Sequence, residues 1–202
     1  MISSEPTASP AEALHILAAE LAGEGPVIAP HVADSDAPPA LGVLTAAGPR
    51  CASEPAEYAT LVESVREGYL LHYGEPRLLP ALEPDLRLLI GDHLYASGIA
   101  RLAALEDPSA VAELSDLISL VAQIDASPAH DPATAEAAWL ATAVAIGCGS
   151  GEAHELGKSR LRSAGDARPL WEAAAETAAG AGIADRLIEA ADAVAFSPSS
   201  LG

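Results

Sequence analysis

Apolar residues recur at three- and four-residue spacing through most of this chain, and Pro, Gly and Asp cut that periodicity into segments. "SPAEALHILAAELAG" predicts a helix. Ser9 caps it, Pro10 suits its first turn, Gly23 ends it, and Leu14, Leu17, Ala18 and Leu21 form its apolar face. From residue 54 the helical period persists to near the end. One helix is predicted over 54–74, with Pro55 at its start and Gly74 as its stop, and another over 83–105. A third, over 106–125, has Asp107 as cap and Pro108 in its first turn, and Asp131 and Pro132 repeat that start signal for a fourth. Three shorter segments follow, over 151–165, 166–182 and 183–196. Between residues 23 and 55 the density of Pro and Gly forbids a long helix, and no two-residue alternation supports a strand. No internal repeat of solenoid period is present.

These patterns predict an all-α fold of seven to nine helices, with a bundle of about six forming the core. The expected organisation is a mobile N-terminus (1–9), an N-terminal helix (10–23), an irregular Pro/Gly-rich connection (24–55), a helical core domain (56–196) and a mobile tail (197–202).

Composition sharpens this picture. Of the 202 residues half are hydrophobic, but only 3% are aromatic, so the core must be built from Leu, Ala, Val and Ile. Small side chains let helices approach closely, and alanine is the best helix former. The 29 acidic residues against 10 basic ones give a formal charge of −19. That argues against nucleic acid or an anionic membrane surface as partner, since both need a basic patch. It also leaves the chain poorly equipped to bind diphosphates. Cys51 and Cys148 lie far apart and in no metal-binding spacing, so neither zinc nor a disulfide framework is indicated. The first residues lack a basic stretch, so the start does not read as a secretory signal. No apolar run approaches the ~20 residues that span a bilayer. The expectation is a cytoplasmic protein with reduced thiols, no membrane span, no metal and no cofactor.

One helix is unusual. "EPDLRLLIGDHLYASGIARLAAL" (83–105) carries Gly91 and Asp92 in its middle, where glycine weakens a helix and aspartate competes for backbone hydrogen bonds. Leu88, Leu89, Tyr95 and Ile99 recur at helical spacing, as do Leu86, Ile90 and Leu94. The helix is thus apolar around much of its girth and is expected to be central. Gly91 and Gly98 would admit a neighbouring helix, and Asp92 at that seam would need a partner.

This stretch resembles the trans-polyprenyl diphosphate synthases, which carry a helix of the form "LxxGDxLxAxxxxxLA" followed by a short turn and a cavity-lining helix. "LLIGDHLYASGIARLAALEDPSAVAELSDLISLVAQ", from Leu88 to Gln123, is similar to that pair. "EGYLLHYGEP" stands where the family has its preceding helix and "ATAEAAWLATAVAIGCG" where it has the next, so the resemblance covers about residues 57 to 150. It implies a shortened isoprenoid-synthase fold. The family binds Mg²⁺ and an allylic diphosphate through two DDxxD-type motifs, whose convergent carboxylates hold the metal. Here His72 occupies the place before the first paired aspartates, but Tyr73 and Gly74 follow, and Arg77 stands where the last aspartate would fall. The arginine-rich link has shrunk to "EPRLLPALEP", and "ATAEAAWL" has no counterpart of the Lys-Thr that usually opens the later helix. "KSRLRSAGDARPLWEA" holds no second motif, and no DDxxD occurs anywhere in the chain. Without a metal clamp on the leaving group, prenyl transfer is not expected, and no catalytic residue is assigned.

Some prenyl synthases have a small subunit lacking both aspartate motifs, and the leading expectation is a non-catalytic regulatory subunit of that kind. One alternative is a binding module for a prenyl or quinone-type lipid. Another is an adaptor in a larger assembly, with 24–55 as a docking arm. His72, Tyr73, Glu75, Asp92 and Tyr95 are the candidate residues of a remnant site. His72, Glu75, Asp92 and His93 would form an acid–base or metal group if their helices were neighbours, although a structural pair of Asp92 with a nearby Arg or His is the simpler reading. Tyr69, Tyr73, Tyr95 and Trp139 would either line a cavity or fill the core. His31, Asp34 and Asp36 in "HVADSD" are what loop composition yields. Asp131, near Asp125 and His130, reads as a cap, and "GCGSGE" around Cys148 reads as a helix stop.

Overall fold

The computed structural model describes residues 8–128 and 131–201. Residues 1–7 of the segment expected to be mobile, and His130, lie outside the described residues. The fold is all-α, with nine α-helices and no strand among the described residues. The helices are α1 (Ala13–Gly23), α2 (Ala40–Ala46), α3 (Pro55–Tyr73), α4 (Pro84–Ala104), α5 (Pro108–Asp125), α6 (Pro132–Cys148), α7 (Glu152–Ala164), α8 (Arg168–Gly180) and α9 (Ala184–Ala193). Six of them begin within a residue or two of a proline or a capping aspartate. Asp107 and Asp131 accept hydrogen bonds from the amides of Ala110 and Ala133, which satisfies orphan donors of α5 and α6. Before α1, Ser9 and Glu12 form a reciprocal capping box around a 3₁₀ turn.

Two helices are central. α6 is buried on nearly every side from Ala135 to Gly147, because its small residues let α2, α5 and α8 approach together. At Gly48 and Gly147 backbone meets backbone: a Cβ on Gly48 would stand 2.3 Å from the carbonyl of Gly147. α3 is the other, buried from Tyr58 to Tyr69 even at Glu63, Arg66 and Glu67. Its polar groups are paired inside the protein. Glu63 accepts from the Gly42 amide at 2.7 Å and from Arg77 at 2.6 Å, and Glu67 accepts from the Leu78 amide at 2.7 Å and from Arg77 at 3.1 Å. Asp107 also binds Arg50 and the Tyr58 hydroxyl, tying α3 and the turn before it to the start of α5.

Three expectations change. α4 is not central: Ile90, Gly91, Leu94, Gly98 and Leu102 face inward, but Leu88 and Leu89 are 50% and 65% exposed. The connection 24–55 holds a helix of its own, α2, whose Leu41 and Leu44 are buried in the core. The tail expected to be mobile packs instead. Leu201 is buried, and its carbonyl accepts from Arg168. No described helix is long and apolar enough to cross a membrane.

Candidate functional site

The Gly-Asp pair has a local cause. α3 and α4 cross where Gly68 faces Gly91, close enough that a Cβ on Gly68 would lie 3.0 Å from the Gly91 carbonyl oxygen. His72, one turn further along α3, lays its imidazole where a residue-91 side chain would begin: a Cβ there would stand 2.6 Å from Nε2. The next residue, Asp92, places Oδ1 3.2 Å from that nitrogen. Tyr95, one turn on, stacks on the imidazole with ring centres 5.3 Å apart and planes 16° apart. Gly91, Asp92 and Tyr95 together form a seat for His72. Arg87 holds the crossing from below, donating to the carbonyls of Leu70, Leu71 and Gly74 that end α3.

The aromatic contacts continue inward. Tyr73 lies 5.6 Å from His72 and 5.5 Å from Tyr69, and Tyr69 lies 5.5 Å from Trp139 on α6. The Arg66 guanidinium sits 5.0 Å from the Tyr69 ring centre and 5.1 Å from that of Trp139, and donates to Glu136 at 2.6 Å. Burial pushes the Tyr69 and Tyr95 phenols well above the ordinary tyrosine range. The Asp125 carboxylate adds to the rise at Tyr69, and the neighbouring phenols of Tyr73 and Tyr69 to that at Tyr95. His72 Nε2, Arg66 Nη1, Trp139 Nε1, the Tyr95 hydroxyl and Glu136 Oε2 are buried and make no hydrogen bond among the described residues, His72 Nε2 meeting Asp92 as a charge contact alone.

Of the five predicted site residues, the fold brings His72, Tyr73, Asp92 and Tyr95 together. It does not bring Glu75. The chain leaves helical geometry at Gly74, and Glu75 turns to a separate cleft of about 210 Å³ with Leu41, Arg66, Leu70 and Arg77. Asp92 is not buried at the seam either; its side chain is 75% exposed. His93 points the opposite way, to Glu24 at 2.6 Å. Sequence reasoning missed Arg66, Asp125 and Glu136, which come to the cluster only through long-range side-chain contacts of α3 with α6 and the end of α5.

The carboxylates here are taken up one by one: Asp92 by His72, Glu136 by Arg66, and Asp125 by its interaction with Tyr69. No two converge as a metal clamp would require. Among the described residues, the metal-competent group is elsewhere: Glu113, His154 and Glu155 have ligand atoms within 4.8 Å of one another. Its cation is already present as Lys158 Nζ, 3.2 Å from Glu113 and 2.7 Å from Glu155, and 3.0 Å from Asp116. Burial alone would raise the Glu113 carboxyl, but the His154 contact, the Ser150 hydroxyl and the Lys158 charge hold it at about 2. The cysteines offer no nucleophile: burial pushes the Cys51 thiol up to about 12 and raises that of Cys148.

Comparison with protein-family models, with curated proteins and with solved structures finds no match to this chain.

Proposed function

We propose that this protein acts by association, as a non-catalytic, isoprenoid-synthase-like subunit whose partner docks on the outward face of α4. The observation that carries this reading is the exposure of Leu88 (50%), Leu89 (65%) and Tyr73 (45%) at one end of the α3–α4 pair. These are large apolar side chains on helices whose other faces are fully used by the core, and such patches mark interaction sites. The same exposure disfavours the lipid-binding alternative, since two of the leucines that would wall an internal cavity point away from the interior.

The stretch that stands in place of the family's first metal motif supports a non-catalytic role. Arg77 there is spent on two buried glutamates, and the His72 imidazole lies stacked on Tyr95 with Asp92 at 3.2 Å. The catalytic subunit of a prenyl diphosphate synthase is the partner the resemblance names. The test is to mix the chain with that synthase from its own host and measure both complex mass by light scattering and product chain length. A stoichiometric complex with altered product length is expected. Two separate species and unchanged products would overturn the reading.

A further inference from the structure

Resting on that reading, we infer that the outward face of α4 receives an amphipathic helix that carries Lys or Arg beside its apolar stripe. Shape and charge both lead there. Leu89, Ala96, Ala100 and Ala103 are all exposed and recur at helical spacing, so they lie in one row, interrupted at His93, which Glu24 engages. From 89 to 103 the row runs about 21 Å at the helical rise per residue, the length of another helix of about 14 residues. Leu88 and Tyr73 widen its start, and the alanines leave room for a second helix to lie close.

The charge on this face has one sign. Glu83, Asp85 and Asp92 are exposed around the leucines, and Glu106 is exposed at the far end. Both arginines of α4 are committed elsewhere. Arg87 donates to the α3 carbonyls, and Arg101 is held by Glu57 and Glu20. His93 is engaged by Glu24. A second copy of this chain would bring the same carboxylates against themselves, on top of a formal charge of −19 per chain. An anionic lipid surface would be repelled in the same way. A helix with basic flanks satisfies both the apolar row and its acidic border.

The probe is a pair of synthetic helical peptides of equal length with one leucine stripe, flanked by Lys in one and by Glu in the other. Binding is followed by amide NMR shifts and fluorescence anisotropy on the full chain. The Lys peptide is expected to shift residues 73 and 85–103 and to weaken about tenfold in the Leu88→Ser/Leu89→Ser variant. It should weaken severalfold in Asp85→Asn/Asp92→Asn and with added salt, while the Glu peptide binds at least about tenfold more weakly than the Lys peptide. Because the two leucines are exposed, the serine variant should keep its circular dichroism and urea midpoint. Lys-peptide binding that survives that variant, equal binding of the two peptides, or self-association of the chain lost in the variant would each overturn the inference. A synthase complex that survives the serine variant would overturn this docking face while leaving the association itself standing.

Discussion

Arg77 offers the sharpest test of how the fold is held. Its guanidinium is 17% exposed and bridges Glu63 and Glu67, whose side chains are both 0% exposed, at 2.6 and 3.1 Å. The carboxylate charges strengthen the arginine's hold on its own proton against the burial that opposes it. Arg77→Met removes the cation and leaves two carboxylates in the core with only backbone amides, of Gly42 and Leu78, as donors. Breaking one partner from a buried ion pair costs about 3–5 kcal/mol, because the remaining charge is uncompensated. Two charge-assisted hydrogen bonds at roughly 1.5–3 kcal/mol each give the same range. For a chain of this size that is a fall in melting temperature of about 6–20 °C, at roughly 2–4 °C per kcal/mol. Urea unfolding with an unchanged slope is the assay. The variant Arg77→Met/Glu63→Gln/Glu67→Gln removes the charges yet leaves an amide oxygen for each backbone donor. It should return to within about 2 kcal/mol of the parent. An Arg77→Met protein within about 1 kcal/mol of the parent would refute the reasoning.

Other predictions follow from the same geometry. Glu113 is depressed from 4.5 to about 2, so its contribution is complete above pH 4.5 and is lost as pH falls toward 2. Unfolding free energies of Glu113→Gln and parent should differ by about 3 kcal/mol at pH 6 and converge near pH 2; a gap independent of pH would count against the Lys158–His154 account. Gly98→Ala gains helix propensity but drives a Cβ to 2.4 Å from Val65 Cγ2. A net loss of about 1–2 kcal/mol in urea is expected, and a gain would mean that the α3–α4 seam is looser than described. Gly91→Ala meets the end of the His72 side chain at 2.6 Å and the Gly68 carbonyl oxygen at 3.3 Å, so it should displace the imidazole from Asp92, visible in the His72 ring NMR signals, at a cost no greater than that of Gly98→Ala. Leu88→Ser/Leu89→Ser should leave stability within about 0.5 kcal/mol, checked by urea midpoint; a large loss would place those leucines in the core.

The helix pattern was readable because its punctuation is local. Pro55, Pro108 and Pro132 open helices, Asp107 and Asp131 cap them, and Gly74, Gly149 and Gly165 follow their ends. The ranking of helices by burial was not readable. α3 carries Glu63, Arg66 and Glu67 and so looks half-solvated, yet Arg77 pairs with both glutamates and Glu136 with Arg66 inside the protein. α4 looks apolar all round, yet α3 covers only one side of it. α2 was hidden because seven residues after Pro38 and Pro39 are too few to display a helical period. At the candidate site, Gly91, Asp92 and Tyr95 drew notice by their spacing on one helix, and His72 through the resemblance, which sets a histidine before the first aspartate motif. Glu75 followed them in sequence but not in space. Arg66, Glu136 and Trp139 meet only through long-range side-chain contacts that no local pattern encodes.

The most direct measurement of the proposed association is amide hydrogen exchange of the chain alone and mixed with the catalytic subunit of a prenyl diphosphate synthase from its host. The account predicts slowed exchange concentrated in residues 84–104 and at the end of α3, with α7 to α9 unchanged. Protection centred on α7 to α9, or a chain whose exchange the synthase does not alter, would contradict it.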